Sequence, residues 1–459
     1  MLRIHDTMAA REVEFVPRVE GRASIYVCGP TVYDVPHIGH GRTALAFDIV
    51  QRYLQWRGLE VTYVSNVTNV EDKIIARAAR EGTSEREIAD RYEKDYWQQL
   101  DRLGVRPPDE VPRATEFIDQ MVQLVAELIE AGHAYAIEGE GVYFEVQSYA
   151  GYGGLSHRKV EDLIEGAGAR VDVDEQKRSP VDFALWKAAK PGEPDWDSPW
   201  GRGRPGWHIE CSAMSLEILG EGFDLHGGGD DLVFPHHENE RAQAEAAGHP
   251  FARHWIHSGM VEVGGEKMAK SLGNFTTLAD ALDAHGPRAF RLAVLQVHYR
   301  SRTELGPSEM QAAGEAVDRL DALVRRAGGA RIDVADAPLD KETVRTFRNA
   351  MDNDFGTPAA VAAIFDAVKR ANIAIDQGEH YGAASLVATV IHLADALGLD
   401  VGVTEGAGDD EAAEIDALVA ARVAAREGRG FAEADRIRDL LAARGITLED
   451  TAAGTIWHR

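Results

Sequence analysis

Within residues 24–76, two short β-favouring runs alternate with two helix-patterned stretches, and that alternation admits only a small group of folds. Ser24-Ile25-Tyr26-Val27-Cys28 is an apolar run stopped by Gly29-Pro30, the punctuation of a strand end. Residues 41–56 then carry Leu45, Ile49, Tyr53 and Leu54 at helical spacing. Glu60-Val61-Thr62-Tyr63-Val64-Ser65 reads as a second strand, and Asp72-Lys73-Ile74-Ile75-Ala76 opens another helix. Strand, helix, strand, helix at this spacing predicts an α/β fold built on a parallel sheet.

The texture changes from about residue 114. A helix over 116–131 leads into a strand-like run at 141–146, then a polar stretch with Trp186, Trp196 and Trp200. This predicts an insertion splitting the sheet domain, whose pattern resumes at 222–226 and again at 255–263. Beyond Pro307 the chain is helical, with Thr357-Pro358 as an N-cap and first-turn pair. An Ala/Gly/Asp linker at 402–410 precedes a small terminal module. At 459 residues the chain exceeds one compact core. The expected segments are 1–113 and 204–262 (sheet halves), 114–203 (insertion), 263–310 (a lysine-bearing region), 311–401 (helical bundle) and 402–459 (linker and terminal module).

Net charge is −27, from 76 acidic and 49 basic residues, which argues against a nucleic-acid partner only weakly, since a local basic stripe can coexist with an acidic remainder. No apolar run is long enough for a membrane span and the N-terminus has no signal-peptide pattern, so a cytoplasmic protein without a membrane partner is expected. In a reducing compartment the two cysteines, Cys28 and Cys211, are not a disulfide but buried hydrophobes or partners in one site.

Four motifs carry chemistry. His37-Ile38-Gly39-His40 puts two imidazoles at a helix start, where N–H groups and dipole favour anions and Gly39 lets a nucleotide approach. Lys267-Met268-Ala269-Lys270-Ser271, after Gly264-Gly265, reads as a loop whose lysines can clamp pyrophosphate. His226-Gly227-Gly228-Gly229-Asp230-Asp231 reads as a glycine-rich bend at a strand end, with Asp231, or less favourably Asp230, accepting from ribose hydroxyls. Finally, Pro235 predicts a helix start, so His236 and Glu240 share a face. With Cys28 and Cys211 they form a donor set suited to tetrahedral Zn²⁺. His237 paired with Glu240 is the competing choice, and spacing alone leaves both open.

With these residues in view, the chain resembles the cysteinyl-tRNA synthetases, a class I aminoacyl-tRNA synthetase family. The resemblance rests on Tyr26-Val27-Cys28-Gly29-Pro30-Thr31-Val32-Tyr33-Asp34 leading into His37-Ile38-Gly39-His40, on Gly206-Trp207-His208-Ile209-Glu210-Cys211-Ser212, and on the run from Phe234 to Glu240. Gly454-Thr455-Ile456-Trp457 extends it to the end of the chain. It implies a Rossmann-like catalytic domain split by a connective insertion, then stem-contact, helical-bundle and anticodon-binding regions. It also implies one Zn²⁺ per chain on Cys28, Cys211, His236 and Glu240, which favours His236 over His237. ATP, with Mg²⁺, would be handled by His37, Gly39, His40, Asp231, Lys267, Lys270 and Ser271. Gly29, Thr68 and Trp207 would line the amino-acid pocket. The implied substrates are L-cysteine, ATP and tRNA(Cys), and a monomer is expected. Ala269 departs from the family's usual Ser and removes one hydroxyl from the loop.

The implied chemistry explains the zinc. Cysteine and serine are nearly isosteric, and a soft thiolate binds Zn²⁺ far better than an alcohol does. Arg325, Arg326, Arg331, Arg422, Arg426, Arg429, Arg436 and Arg438 are candidates for an RNA path, with Trp457 available to stack on an unpaired base. Ligases that couple cysteine to an amino sugar share the zinc and ATP motifs; the terminal module with Trp457 and the Pro30-Thr31-Val32 and Ile38 wording count against them. A non-catalytic tRNA-binding paralogue would be expected to lack some of His37, His40, Lys267 and Lys270, and all four are present.

Overall fold

The structure is a computed structural model that describes residues 1–168, 176–263, 266–267, 276–402, 409–444, 446–451 and 454–458. Two compact units emerge: Met1–Ala313 with Arg348–Ala359, and Gly314–Phe347 with Ala360–Arg459.

The first unit is built on a four-stranded parallel sheet in the order His254–Ser258, Leu225–Gly229, Arg22–Val27, Glu60–Ser65. The strands at 22–27 and 60–65 pair in register, and the helix Ile38–Trp56 crosses between them. That helix begins earlier than its apolar periodicity suggests, because His37 caps it. It is pinned by Asp48, fully buried, whose carboxylate accepts from Arg52 at 2.8 Å and Arg291 at 2.6 Å and from the Arg106 backbone N–H.

Between the sheet halves lies a four-stranded antiparallel sheet, in the order Ala134–Ile137, Gly141–Phe144, Phe183–Ala188, Gly203–Pro205. The expected insertion therefore carries its own sheet. Its apolar face joins a core of Phe144, Leu185 and Trp186 to Ile209 and Met214 of the helix Trp207–Leu219.

Two local readings change. The glycine run at 227–229 is not a bend but lies inside the strand Leu225–Gly229. Its glycines serve packing: a Cβ on Gly227 would stand 2.2 Å from Phe47, and one on Gly228 2.8 Å from His237. The run 255–263 is two strands, His254–Ser258 and Val261–Val263, broken at Gly259-Met260. The expected helix start holds: Phe234 is extended (φ −142°, ψ 130°), and from Pro235 the backbone turns helical and runs into the helix Glu238–Ala246.

The second unit is helical, with helices Lys341–Met351 and Thr357–Asp376 straddling its boundaries and His380–Ala396 within it. The latter buries Leu386, Val387, Val390 and Leu393. At its end Asp409–Glu427 and Phe431–Ala443 pack around Ile415, Ile437 and Leu441, beside a hairpin of Thr447–Thr451 and Gly454–His458. Among the described residues no helix is long and apolar enough to cross a membrane.

Candidate active site and metal centre

Cys28 directly follows the strand Arg22–Val27 and bonds the neighbouring strand through Gly227 O at 3.0 Å. It therefore stands at the carboxyl edge of the sheet, where open α/β sheets place their ligands. Cys211 comes from the helix Trp207–Leu219, Glu240 from Glu238–Ala246, and His236 from the turn before it. All four are buried, and one donor atom from each lies within 4.8 Å of the others. Cys28 Sγ is 3.3 Å from Glu240 Oε1, and His236 Nε2 is 2.9 Å from the same oxygen.

The electrostatics fit a cation. Burial, Cys211 and Glu240 push the Cys28 thiol up. Burial also opposes ionisation of Cys211, but hydrogen bonds from Cys28 and His236 outweigh it and bring the thiol down to about 6. Burial disfavours a charged His236, yet Glu240 and Cys211 raise it to about 10. Glu240 is held well below the carboxylate range by His236 and His226, against its own burial. Two thiols, a carboxylate and an imidazole thus form a dry, electron-rich cluster, the donor chemistry of a Zn²⁺ site.

Cys28, His226, His237 and Glu240 also converge within 4.8 Å. The set containing His236 keeps both sulfurs, which soft-metal binding favours. The other imidazoles hydrogen-bond around these donors. His226 Nε2 holds Glu240 Oε2 at 2.8 Å, and His237 Nδ1 bonds His257 Nε2 at 2.7 Å. His208 Nδ1 meets His236 Nδ1 at 2.9 Å, leaving His236 Nε2 directed at Glu240. Trp207 stacks on His236 with ring centroids 4.1 Å apart. Sequence reasoning missed the part of His208, His226 and His257 in this network; the abundance of histidines between 208 and 257 was the available signal. It also missed Glu210, fully buried with neither carboxyl oxygen hydrogen-bonded among the described residues, although Thr68 is near enough to oppose the strong upward push of burial on its pKa.

The cluster borders a cavity of about 330 Å³ through Cys28, and the wall includes Gly29, His37, Gly39, His40 and Trp207. Asp231 is on that wall and Asp230 is not. Thr68 stands behind it, its N–H donating to Pro30 O at 3.1 Å. Gly29 is required by close approach: an added Cβ would be 1.7 Å from Asn66 O. Lys267 belongs to the short strand Glu266–Lys267, paired opposite Glu262; Ala269, Lys270 and Ser271 lie outside the described residues. A larger cavity of about 740 Å³ is walled by Glu85, Asp90, Glu93 and Glu116 against Arg86, Lys94 and Arg113, and has no thiol or imidazole.

The helix start differs from expectation in one respect. Its early N–H groups are engaged, Ile38 with Thr276 O at 3.2 Å and Gly39 with His37 Nδ1 at 3.1 Å. The His37 N–H donates to His40 Nδ1 at 3.2 Å, and the two rings stack at 3.8 Å. Each neutral ring accepting at Nδ1 carries its proton on Nε2, so the donors offered here are imidazole N–H groups. Burial and His37 take His40 down to about 3, keeping it neutral at physiological pH.

The candidate arginines are placed unevenly. Arg326 pairs with Asp376, Arg436 with Glu433, and Arg438 with Asp435 and Asp439. Arg422 is buried and reaches Thr455. These pairings leave less free basic surface than the sequence suggested.

The sheet topology, the cleft at its strand ends and the two-histidine helix start belong to a chain that its family match identifies as a class I aminoacyl-tRNA synthetase. Residues 14–315 match the tRNA synthetases class I (C) catalytic domain, and 346–401 match the DALR domain. The cysteine–tRNA ligases of Halorhodospira halophila and Alkalilimnicola ehrlichii are each 49% identical, over the full length of this chain and of theirs. The chain belongs to the cysteinyl-tRNA synthetase family and is an aminoacyl-tRNA ligase. The fold is shared with Mycobacterium tuberculosis methionyl-tRNA synthetase in complex with methionyl-adenylate (TM-score 0.59, 17% identity, covering 82% of this chain and 90% of that one). It is also shared with a ternary LeuRS–tRNA–LeuAMS complex from Agrobacterium radiobacter (TM-score 0.60, 12% identity, 84% of each chain).

Proposed function

We propose that this enzyme activates L-cysteine with ATP and transfers it to tRNA(Cys), using one Zn²⁺ held by Cys28, Cys211, His236 and Glu240. The observation that carries this reading is the convergence of that buried quartet on one point, with Cys28 also lining a cavity walled by His37, Gly39 and His40. Bound zinc supplies selective affinity for a substrate thiolate over an alcohol. The protein's part is to orient the donors. Trp207 and His208 fix the His236 ring, His226 restrains Glu240, and burial excludes water.

Gly29, Thr68 and Trp207 shape the amino-acid pocket. The cysteine carboxylate attacks the α-phosphate of Mg²⁺-bound ATP, and pyrophosphate leaves. His37 and His40 donate from Nε2 to the phosphoryl oxygens, with Gly39, Asp231 and Ser271 completing the nucleotide site. Lys267 and Lys270 offset charge developing on the leaving group. The terminal ribose hydroxyl of tRNA then attacks the adenylate carbonyl. No enzyme nucleophile is required, so catalysis is positioning and charge stabilisation. In the same reading the enzyme works as a cytoplasmic monomer, with 1–113 and 204–262 as catalytic halves, 114–203 as connective insertion, 263–310 contacting the acceptor stem, and 402–459 reading the anticodon.

Pyrophosphate exchange tests this directly. Exchange is expected with cysteine and not with serine at equal concentration, followed by charging of tRNA(Cys). Exchange with neither amino acid, or cysteine consumption with an amino-sugar acceptor but no charging, would refute it.

A further inference from the structure

Arg42 lies on the helix Ile38–Trp56 two residues after His40 and is 2% exposed. Its Nη1 donates to the carbonyls of Gly259 at 2.7 Å and Met260 at 2.8 Å. Its Nη2 donates to Ser301 O and, at 3.4 Å, to Tyr299 O. The first pair of carbonyls is the break between the strands His254–Ser258 and Val261–Val263. The second pair precedes Thr303–Glu304, which runs parallel to Val261 and Glu262. One guanidinium therefore ties two chain segments to the helix that bears His37 and His40.

Other contacts bind the same place. Thr43 Oγ1 is 3.0 Å from Ser258 Oγ, and the Gly259 N–H donates to Tyr299 O at 2.7 Å. A Cβ at Gly259 would stand 2.3 Å from Ser301 O, so only glycine allows this approach. The clamped residues matter because of what they adjoin. Gly259, Met260 and Val261 are wall residues of the 330 Å³ cavity, and the strand Val261–Val263 pairs with the strand carrying Lys267. After the lysine segment the chain returns to the same helix start, with Leu278 N–H on Pro36 O at 2.9 Å and Ile38 N–H on Thr276 O at 3.2 Å. The described flanks on either side of the lysines thus contact one helix, and Arg42 holds the upstream flank.

We propose that Arg42 is a positioning residue for adenylate formation, fixing the arm that leads to Lys267 and Lys270 against the His37–His40 helix start. This rests on the cysteine-activation reading above. An arginine is needed because its planar fork spreads several donors over carbonyls of different segments, whereas a lysine ammonium is a point charge. Burial lowers the guanidinium only to about 10, so the cation persists at working pH.

The test is pyrophosphate exchange by the wild type, Arg42→Ala and Arg42→Lys, with melting temperature and zinc content measured in parallel. Both variants are expected to lose kcat by about 100-fold, the scale of an ångström-sized misplacement. KM for ATP should rise while KM for cysteine and zinc content stay unchanged, because the metal ligands sit on other elements. Added guanidinium ion should restore part of the Arg42→Ala rate and none of the Arg42→Lys rate. Should the alanine variant fail to fold, the lysine variant alone decides. Unchanged kcat, or a raised cysteine KM accompanied by lost zinc and a lowered melting temperature, overturns the inference. A wild type without exchange instead overturns the function reading, and the inference with it.

Discussion

At position 29 a single methyl group has no room, since it would fall 1.7 Å from Asn66 O. Gly29→Ala must push the loop after Cys28 away from its neighbour, and overpacking of this kind costs ~1–3 kcal/mol. Weakened cysteine binding with a lowered melting temperature is expected; wild-type values for both would show that the loop relaxes freely. His40 supplies a pH signature. Its folded pKa of about 3 is depressed from the ordinary 6.5, so its contribution to stability is complete above 6.5 and is lost as pH falls towards 3. At pH 5.5 the loss is roughly 1 kcal/mol. His40→Asn keeps an acceptor for the His37 N–H and removes the titration, so its melting temperature should fall less between pH 6.5 and 5.5. Among the proposed metal donors, Cys211→Ala should abolish zinc retention by metal analysis, and full retention would sink that ligand set.

Elements here are held together where side chains vanish. The strand Leu225–Gly229 lies close to the helix Ile38–Trp56 because Gly227 leaves space for Phe47. Gly227→Ala is expected to destabilise by about 1–3 kcal/mol. Combining it with Phe47→Leu should cost less than the sum of the single changes, because the smaller ring-free side chain relieves the clash. Strict additivity in denaturant titrations would contradict this account. The same helix contributes Asp48, whose buried carboxylate accepts from Arg52 and Arg291 and would leave uncompensated cations if removed.

Over the whole molecule, every described residue of the proposed catalytic and metal sites falls in the unit Met1–Ala313 with Arg348–Ala359. The last helices and hairpin have their own cluster around Ile415, Ile437 and Leu441. Ending the chain at residue 401 should therefore preserve cysteine-dependent exchange and lose tRNA charging. Equal loss of both would show that the terminal module supports the catalytic unit.

The sequence by itself determined the parallel α/β character, the helix after His37 and the chemical types of the proposed metal donors. These are encoded locally, in apolar periodicity, in glycine and proline punctuation and in His236 and Glu240 lying one helical turn apart. It misread 227–229 because glycines look the same whether they bend a chain or make room for Phe47 and His237. Only the tertiary structure brought Cys28 and Cys211 to one point, set His208 against His236 and His226 against Glu240, and placed Arg42 on the carbonyls of Gly259 and Met260. Such contacts join residues up to about two hundred positions apart, as with Glu240 and Cys28. Packing between elements sets those distances to within an ångström, and no local pattern records it.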